Sequence, residues 1–151
     1  MMTEITYKPF EAADADIVVK MMGEFYDIDN YPMDPQTSRA LFFEFIDGGH
    51  LGNGWVIMYN GEPVGYVILT FVFSFEYKGR IAFLDELFIL PKMRGNGLGK
   101  QALEFINQQA RLLNIKIIYL EVEGHNDAAL GLYKANNYTL NKRKLMRLIV
   151  V

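Results

Sequence analysis

The sequence predicts an α/β (α+β) fold, in which a mixed, mostly antiparallel and twisted sheet of about seven strands is flanked by four helices. Three observations predict it. Asn60-Gly61 separates two runs of strand-forming residues, which indicates an antiparallel hairpin. Residues 81–122 read as strand, loop, amphipathic helix and strand, which indicates a parallel crossover. Elsewhere apolar residues such as Ile17, Met21 and Phe25 recur at helical spacing.

The first half of the chain supplies one strand, two helices and a three-stranded meander. Residues 5–8 alternate and predict a strand that Pro9 ends. Helical spacing predicts helices over 12–26 and 36–46, and the segment between them is rich in Asp, Asn and Pro, which is typical of a loop. The strands of the meander are predicted over 55–59, 62–75 and 81–90.

The second half alternates helices and strands, and completes the order β-α-α-β-β-β-α-β-α-β-β. A helix is predicted over 98–113, with Leu98, Ala102, Phe105, Gln109 and Leu112 on its buried stripe. A β-branched strand follows over 115–122, and then a short helix over 128–136. Two closing strands are predicted, one from Tyr138 onward and one over 145–151.

Composition narrows the class of protein. The chain has 151 residues, 51% of them hydrophobic, so a single folded domain over 3–151 is expected. The chain has no cysteine, which excludes a disulfide scaffold and a thiolate nucleophile, and with two histidines we expect no metal. A net charge of −3 does not suggest a nucleic-acid partner. The longest apolar run, 63–75, is shorter than the about 20 residues of a spanning helix, so we expect no membrane partner and a cytoplasmic location.

A glycine-rich loop lies between a predicted strand and a predicted helix, with the sequence Arg94-Gly95-Asn96-Gly97-Leu98-Gly99-Lys100. Glycines let a backbone turn tightly, and a helix start presents unpaired N–H groups that hold phosphate. Arg94 stands where the Walker A motif has its first Gly, and Gln101 where it has Ser or Thr. Lys100 stands where the dinucleotide fingerprint has its third Gly. Both of these phosphate motifs are therefore excluded.

The loop and the strand before it resemble motif A of the GNAT N-acetyltransferase superfamily. That motif is an apolar strand, a Pro, and then Arg/Gln-x-x-Gly-x-Gly/Ala, matched here by Pro91, Arg94, Gly97 and Gly99. Downstream, Asn126-x-x-Ala129-x-x-Leu132-Tyr133 resembles motif B. The element order agrees with the family over the whole chain, although Asn137-Tyr138 stands where the family often has Gly-Phe. Asn tolerates the left-handed conformation, so that turn should survive.

The resemblance implies acetyl transfer from acetyl-CoA to a primary amine by direct attack in a ternary complex, with no metal. It also implies that the fourth and fifth strands splay apart and admit the cofactor. The implied cofactor-binding residues are Leu87, Phe88, Ile89, Arg94, Gly95, Asn96, Gly97, Leu98, Gly99, Lys100, Asn126 and Tyr133. Many relatives pair as homodimers. The alternative is a non-catalytic acyl-CoA-binding sensor or interaction domain.

The resemblance also implies the catalytic groups. Tyr133 matches the family tyrosine near the sulfur, and a phenol with a pKa of about 10 can protonate the leaving thiolate. Asp85 and Glu86 both suit the base, either directly or through water, and Glu86 has the longer reach. Because they are adjacent in a strand, we expect them to face opposite sides of the sheet, so that only one enters the cleft. Glu121 and Glu123 are alternative bases.

The segment from Glu24 to Asp47 carries six acidic residues and one cation, Arg39, with tyrosines between them. Such a surface attracts a cationic amine, such as a polyamine, an aminoglycoside, a lysine side chain or a peptide amino terminus. The candidate substrate-binding residues are Tyr26, Asp27, Asp29 and Tyr31. The alternative is a solvated loop between two helices.

Overall fold

The structure is a computed structural model that describes residues 4–150. These residues contain five strands and four α-helices. The strands are β1 (Ile5–Pro9), β2 (Gly52–Tyr59), β3 (Glu62–Ser74), β4 (Gly79–Ile89) and β5 (Ile118–Tyr119). The helices are α1 (Ala15–Ile28), α2 (Pro35–Ile46), α3 (Leu98–Leu112) and α4 (Asp127–Ala135). Short 3₁₀ turns precede α1 (Ala12–Asp14) and follow β4 (Pro91–Met93). The predicted fold class is confirmed.

The strands form one sheet in the order β1-β2-β3-β4-β5. The first three pairs are antiparallel, and β4 pairs with β5 in parallel, as the predicted crossover requires. The β2–β3 hairpin turns at Asn60 and Gly61, whose φ angles are 49° and 82°. Two successive positive φ angles are what a type I′ turn needs, so the Asn-Gly signal is confirmed.

Helices cover both faces of the sheet. Val56 of β2 packs in a core with Val18 and Met21 of α1 and Phe42 of α2. Its neighbour Ile57 points the other way and packs in a second core with Leu98 and Ala102 of α3. Alternation along one strand therefore separates the two layers of helices. No helix within residues 4–150 is long and apolar enough to cross a membrane.

The buried stripe of α3 differs from the predicted one. The buried residues are Leu98, Ala102, Leu103, Ile106 and Ala110, whereas Leu112 is 79% exposed. The prediction was correct for Leu98 and Ala102 in the first turn, but its last residue, Leu112, does not face the sheet. Phe105, at the edge of the true stripe, stacks on Tyr7 with ring centroids 4.0 Å apart.

The two closing strands are a wrong prediction for the described residues, because none of 138–150 lies in a strand. Val151 lies outside the described residues. The segment has the composition of a strand, but its apolar residues, such as Leu145 and Ile149, are exposed. Among the described residues it pairs with no strand of the sheet. β5 is also shorter than predicted. The chain divides into one compact unit that ends at Glu121 and another that begins at Val122, and the single domain over 3–151 stays a prediction.

Candidate active site

The two acidic residues of β4 lie at an irregularity in its pairing with β3. Ile68 pairs with Glu86 and the next residue, Leu69, pairs with Leu84, so Asp85 has no partner across the ladder. Such an extra residue is a β-bulge, and a bulge breaks the two-residue alternation of a strand. The expectation that only one acid enters the cleft is therefore wrong, because Asp85 and Glu86 line the same cavity.

Both carboxylate oxygens of Glu86 accept a hydrogen bond from a tyrosine. Tyr26 of α1 donates its phenolic hydrogen to Oε2 at 2.7 Å. Tyr66 of β3 donates to Oε1 at 2.6 Å. Tyr66 was not among the site residues predicted from the sequence. It is the single tyrosine in the apolar run of β3, and this feature could have identified it, because a buried tyrosine usually needs a partner for its hydroxyl.

Opposing effects act on the proton affinity of this pair of acids. Burial raises the pKa of Glu86, while the hydrogen bonds from Tyr66 and Tyr26 lower it and the charge of Asp85 raises it. Burial also raises the pKa of Asp85. The pKa values of Tyr26 and Tyr66 are raised, first by burial, so both phenols keep their protons at neutral pH. The tyrosines therefore act as donors to Glu86 across the ordinary pH range.

The cavity beside Glu86 has a volume of about 250 Å³ and lies between α1, α2 and the sheet. Most of its lining is apolar, with Phe42 and Ile68 buried and Phe10, Met22 and Phe45 half-buried. Leu41 and Leu51 also line it and are 55% and 38% exposed. Tyr26, a predicted substrate residue, belongs to this lining.

Other predicted acceptor residues and alternative bases are placed differently. Asp27, Asp29 and Tyr31 are not among the residues that line this cavity, and their contact with substrate stays a prediction. Glu121 and Glu123 are exposed. Within residues 4–150, no three His, Asp or Glu side chains are grouped so that they could hold a metal ion.

The glycine loop forms a nest of amide groups at the start of α3. Gly95 and Gly97 have φ angles of 82° and 75°, in the left-handed region that favours glycine. In the described part of the chain, no amide from Gly95 to Lys100 donates to a backbone carbonyl. Arg94 fixes the loop instead, because its Nε donates to the carbonyl of Ile89 at 3.1 Å. These amides, at the positive end of a helix dipole, fit a diphosphate such as that of CoA.

β5 covers only a short part of β4, since both of its residues pair and the strand then ends at Tyr119. The two strands pair only at Ala82–Ile118 and Phe83–Tyr119, although β4 continues to Ile89. From Leu84 onward, the edge of β4 on the β5 side has no strand beside it among the described residues. This stretch contains Glu86 together with Leu87, Phe88 and Ile89, and it leads directly into the glycine loop.

The unit that begins at Val122 holds the other two predicted site residues. Asn126 caps α4, since its Oδ1 accepts from the amide of Ala129 at 3.0 Å, as the capping interpretation predicts. Tyr133 lies in α4 with its ring 5.7 Å from that of Tyr138, and burial raises its pKa. Asn137 has a φ of 73°, so it adopts the left-handed conformation expected in place of glycine.

Known proteins resemble this chain in sequence and in fold. The acetyltransferase (GNAT) family matches residues 19–138. An uncharacterized N-acetyltransferase of Bacillus subtilis, YhfO, is 27% identical over 128 residues, which are 85% of each chain. An integron cassette protein from a salt-marsh metagenome superposes with a TM-score of 0.86 at 28% identity, over 96% of this chain and 90% of that one. A protein described as a predicted acetyltransferase from Clostridium acetobutylicum, crystallised with acetyl-CoA, has a TM-score of 0.80 over 96% of each chain at 16% identity and shares the fold.

The family match includes β4 with its acidic pair, the glycine loop and α4. The resemblance first seen in two short motifs thus extends over most of the sequence and over the fold. The chain therefore belongs to the GNAT family and is an N-acetyltransferase.

Proposed function

We propose that this protein transfers the acetyl group of acetyl-CoA to a primary amine, and that Glu86 accepts the proton that the amine loses. One observation carries the proposal. Glu86 lines a cavity between α1, α2 and the sheet, is held at both oxygens by phenols, and lies on the stretch of β4 whose β5 side has no strand beside it among the described residues. A base at this position would contact an amine bound in the cavity. It would also lie beside the edge of β4 that is proposed to bind acetyl-CoA.

Three parts of the chain would hold acetyl-CoA, which supplies an acetyl thioester whose carbon–sulfur bond is replaced by a carbon–nitrogen bond. The amides from Gly95 to Lys100 would bind the diphosphate. The open edge of β4 at Leu87, Phe88 and Ile89 would pair with the pantetheine arm as an added strand does. A backbone N–H of Phe88 or Ile89 would also stabilise the developing oxyanion. Asn126, whose Oδ1 is already committed to the cap of α4, would offer its Nδ2 hydrogens.

Glu86 prepares the amine for attack. An ammonium group has no lone pair, so it must lose a proton before its nitrogen can form a bond. Because burial raises the pKa of Glu86, its carboxylate is a stronger base than that of a free glutamate, while the two phenols keep its orientation fixed. Asp85, on the same cavity, adds negative charge that attracts the cationic amine. The sequence contains no cysteine to carry the acetyl group, which supports direct attack with both substrates bound.

Tyr133 is the proposed donor of the proton that the leaving sulfur takes up. Its raised pKa keeps the phenol protonated at neutral pH, which is the state that a proton donor needs.

The test measures the release of CoA thiol from acetyl-CoA in the presence of a panel of primary amines. We expect Glu86→Gln to lower kcat/KM about 100-fold or more, as is typical for loss of a general base, with CoA affinity unchanged. Glu62→Gln, which alters an exposed glutamate at the β2–β3 turn, is the matched control and should behave as wild type.

Two results would contradict the proposal. If Glu86→Gln retains the wild-type rate, another group removes the proton. If the wild-type protein binds CoA but releases no thiol with any primary amine, the chain is an acyl-CoA-binding domain instead.

A further inference from the structure

We propose that the acceptor is a monoamine carried on a compact apolar body, bound in the cavity beside Glu86. The inference rests on the proposed function and narrows its substrate from any primary amine to one chemical class. It excludes the multiply charged amines that the acidic composition of the segment from Glu24 to Asp47 suggests.

The charges on the cavity wall require a cation. Asp85 and Glu86 contribute carboxylates from β4, Glu44 contributes a third from α2, and no Lys, Arg or His within residues 4–150 lines this cavity. An ammonium group next to Glu86 would have a charged partner there, and would lie on the open stretch of β4.

The remainder of the wall favours an apolar body. Phe42, Phe45 and Ile68 come from both sides of the cavity, and among the described residues the uncharged polar side chains that line it are Tyr26, Ser38 and Thr70. Tyr26 already donates its hydroxyl hydrogen to Glu86. An aminoglycoside, with many hydroxyl and ammonium groups, would lose more hydrogen bonds to water than Ser38 and Thr70 can replace.

The size of the cavity limits the body to a small one. Sites for drug-sized ligands measure about 300–1,000 Å³, and this cavity measures about 250 Å³. A short alkyl chain or a single ring on an amine is of the right order, whereas a peptide or a sugar ring system would have to remain mostly outside.

The competing occupant is a diamine that bridges Glu86 and Glu44. Glu44 is exposed, so its carboxylate is hydrated and its charge is screened by water. A second ammonium group in the cavity would instead be surrounded mainly by aromatic and aliphatic side chains, and burying such a charge is unfavourable.

The experiment compares pentylamine with cadaverine, the diamine of the same chain length, by the rate of CoA thiol release. We expect kcat/KM to be about tenfold or more higher for pentylamine, because the second ammonium of cadaverine must be desolvated. A preference for cadaverine would overturn this inference and leave the proposed function intact. Absence of thiol release with both amines and with every other primary amine would overturn both.

A pair of variants ties the preference to this cavity. Leu41→Asp places a carboxylate on its wall at a position that is 55% exposed, so the fold should tolerate it. We expect this change to raise the activity on cadaverine relative to pentylamine. Leu112→Asp makes the same change on α3, where the leucine is 79% exposed, and should leave the preference unaltered. If Leu41→Asp also leaves it unaltered, the amine does not bind in this cavity.

Discussion

The phenol of Tyr66 donates a hydrogen bond of 2.6 Å to Oε1 of Glu86, and the Tyr66 side chain is completely buried. This bond and the matching one from Tyr26 stabilise the charged form of a carboxylate whose burial favours the neutral form. The two tyrosines therefore lower the pH at which Glu86, the proposed base, loses its proton.

Replacement of Tyr66 by Phe is expected to shift the activity to higher pH. Loss of a hydrogen bond to a charged group removes about 1.5–3 kcal/mol of stabilisation, which corresponds to about one to two pH units in the pKa of Glu86. Because the hydrogen bond lowers that pKa, its removal raises it, and Glu86 then loses its proton at a higher pH. The acid limb of a plot of kcat/KM against pH should move upward by this amount.

Tyr7 provides the matched control for this measurement. Among the described residues, its hydroxyl is a buried side-chain oxygen without a hydrogen-bond partner, and its ring stacks on Phe105 in another part of the fold. Tyr7→Phe should leave the pH profile unchanged. If Tyr66→Phe also leaves it unchanged, the limb does not report Glu86.

The raised pKa of Glu86 also predicts a pH dependence of stability. Glutamate in an unfolded chain has a pKa of about 4.3, and burial raises the pKa of Glu86 in the folded protein above its usual range. Between the two values the folded state holds a proton that the unfolded state has lost, so the free energy of unfolding falls as pH rises through this window. The Glu86→Gln variant has no titrating group at this position, so its free energy of unfolding does not include this decrease.

Thermal melts of wild type and Glu86→Gln, taken at a series of pH values from about 4 upward, measure the effect. We expect the Tm of the variant relative to wild type to increase with pH and then to level off above the folded-state pKa. A difference in Tm that stays constant across the series would show that Glu86 titrates normally in the folded protein.

The amide nest at the start of α3 can be tested with a pair of glycines in the same conformation. Gly97 and Gly61 both have a positive φ, and an added Cβ would meet no atom within 4 Å at either. Alanine at either site carries a left-handed strain of about 1–2 kcal/mol and no clash. We expect Gly97→Ala to weaken CoA binding about tenfold in a calorimetric titration, because relief of the strain rotates the amides out of the nest.

Gly61→Ala carries the same strain in the β2–β3 hairpin and should lower Tm without changing CoA affinity. Equal CoA affinity in Gly97→Ala and wild type would mean that the diphosphate does not bind at this loop.

Features that depend on neighbouring residues were predictable from the sequence. Asn60-Gly61 specifies its turn through two positive φ angles, and the glycines of the Arg94–Lys100 loop specify theirs in the same way. Asn137 likewise takes the left-handed conformation that its position in the motif requires.

Features that depend on distant residues were not predictable in this way. The bulge at Asp85 exists only in the pairing of β4 with β3, so strict alternation gave the wrong orientation for one of the two acids. The phenols on Glu86 come from 60 and 20 residues away in the sequence, and proximity along the chain does not reveal them. The residues after 137 have the composition of strands, but a strand also needs a neighbour, and composition does not identify one.

The role of Tyr133 can be separated from its packing by comparison with Tyr138. The two rings lie 5.7 Å apart in the unit that begins at Val122, and burial raises both pKa values, that of Tyr138 to about 12. If Tyr133 protonates the leaving sulfur, Tyr133→Phe should lower kcat by about 100-fold while CoA affinity stays the same, because only a proton is lost. Tyr138→Phe removes a hydroxyl from the same aromatic pair and should have little effect on kcat. A thiol with a lower pKa needs less protonation when it leaves, so an acetyl thioester of such a thiol should restore much of the rate of Tyr133→Phe and little of that of Glu86→Gln. Equal losses of kcat in the two tyrosine variants, without this rescue, would assign Tyr133 to packing alone.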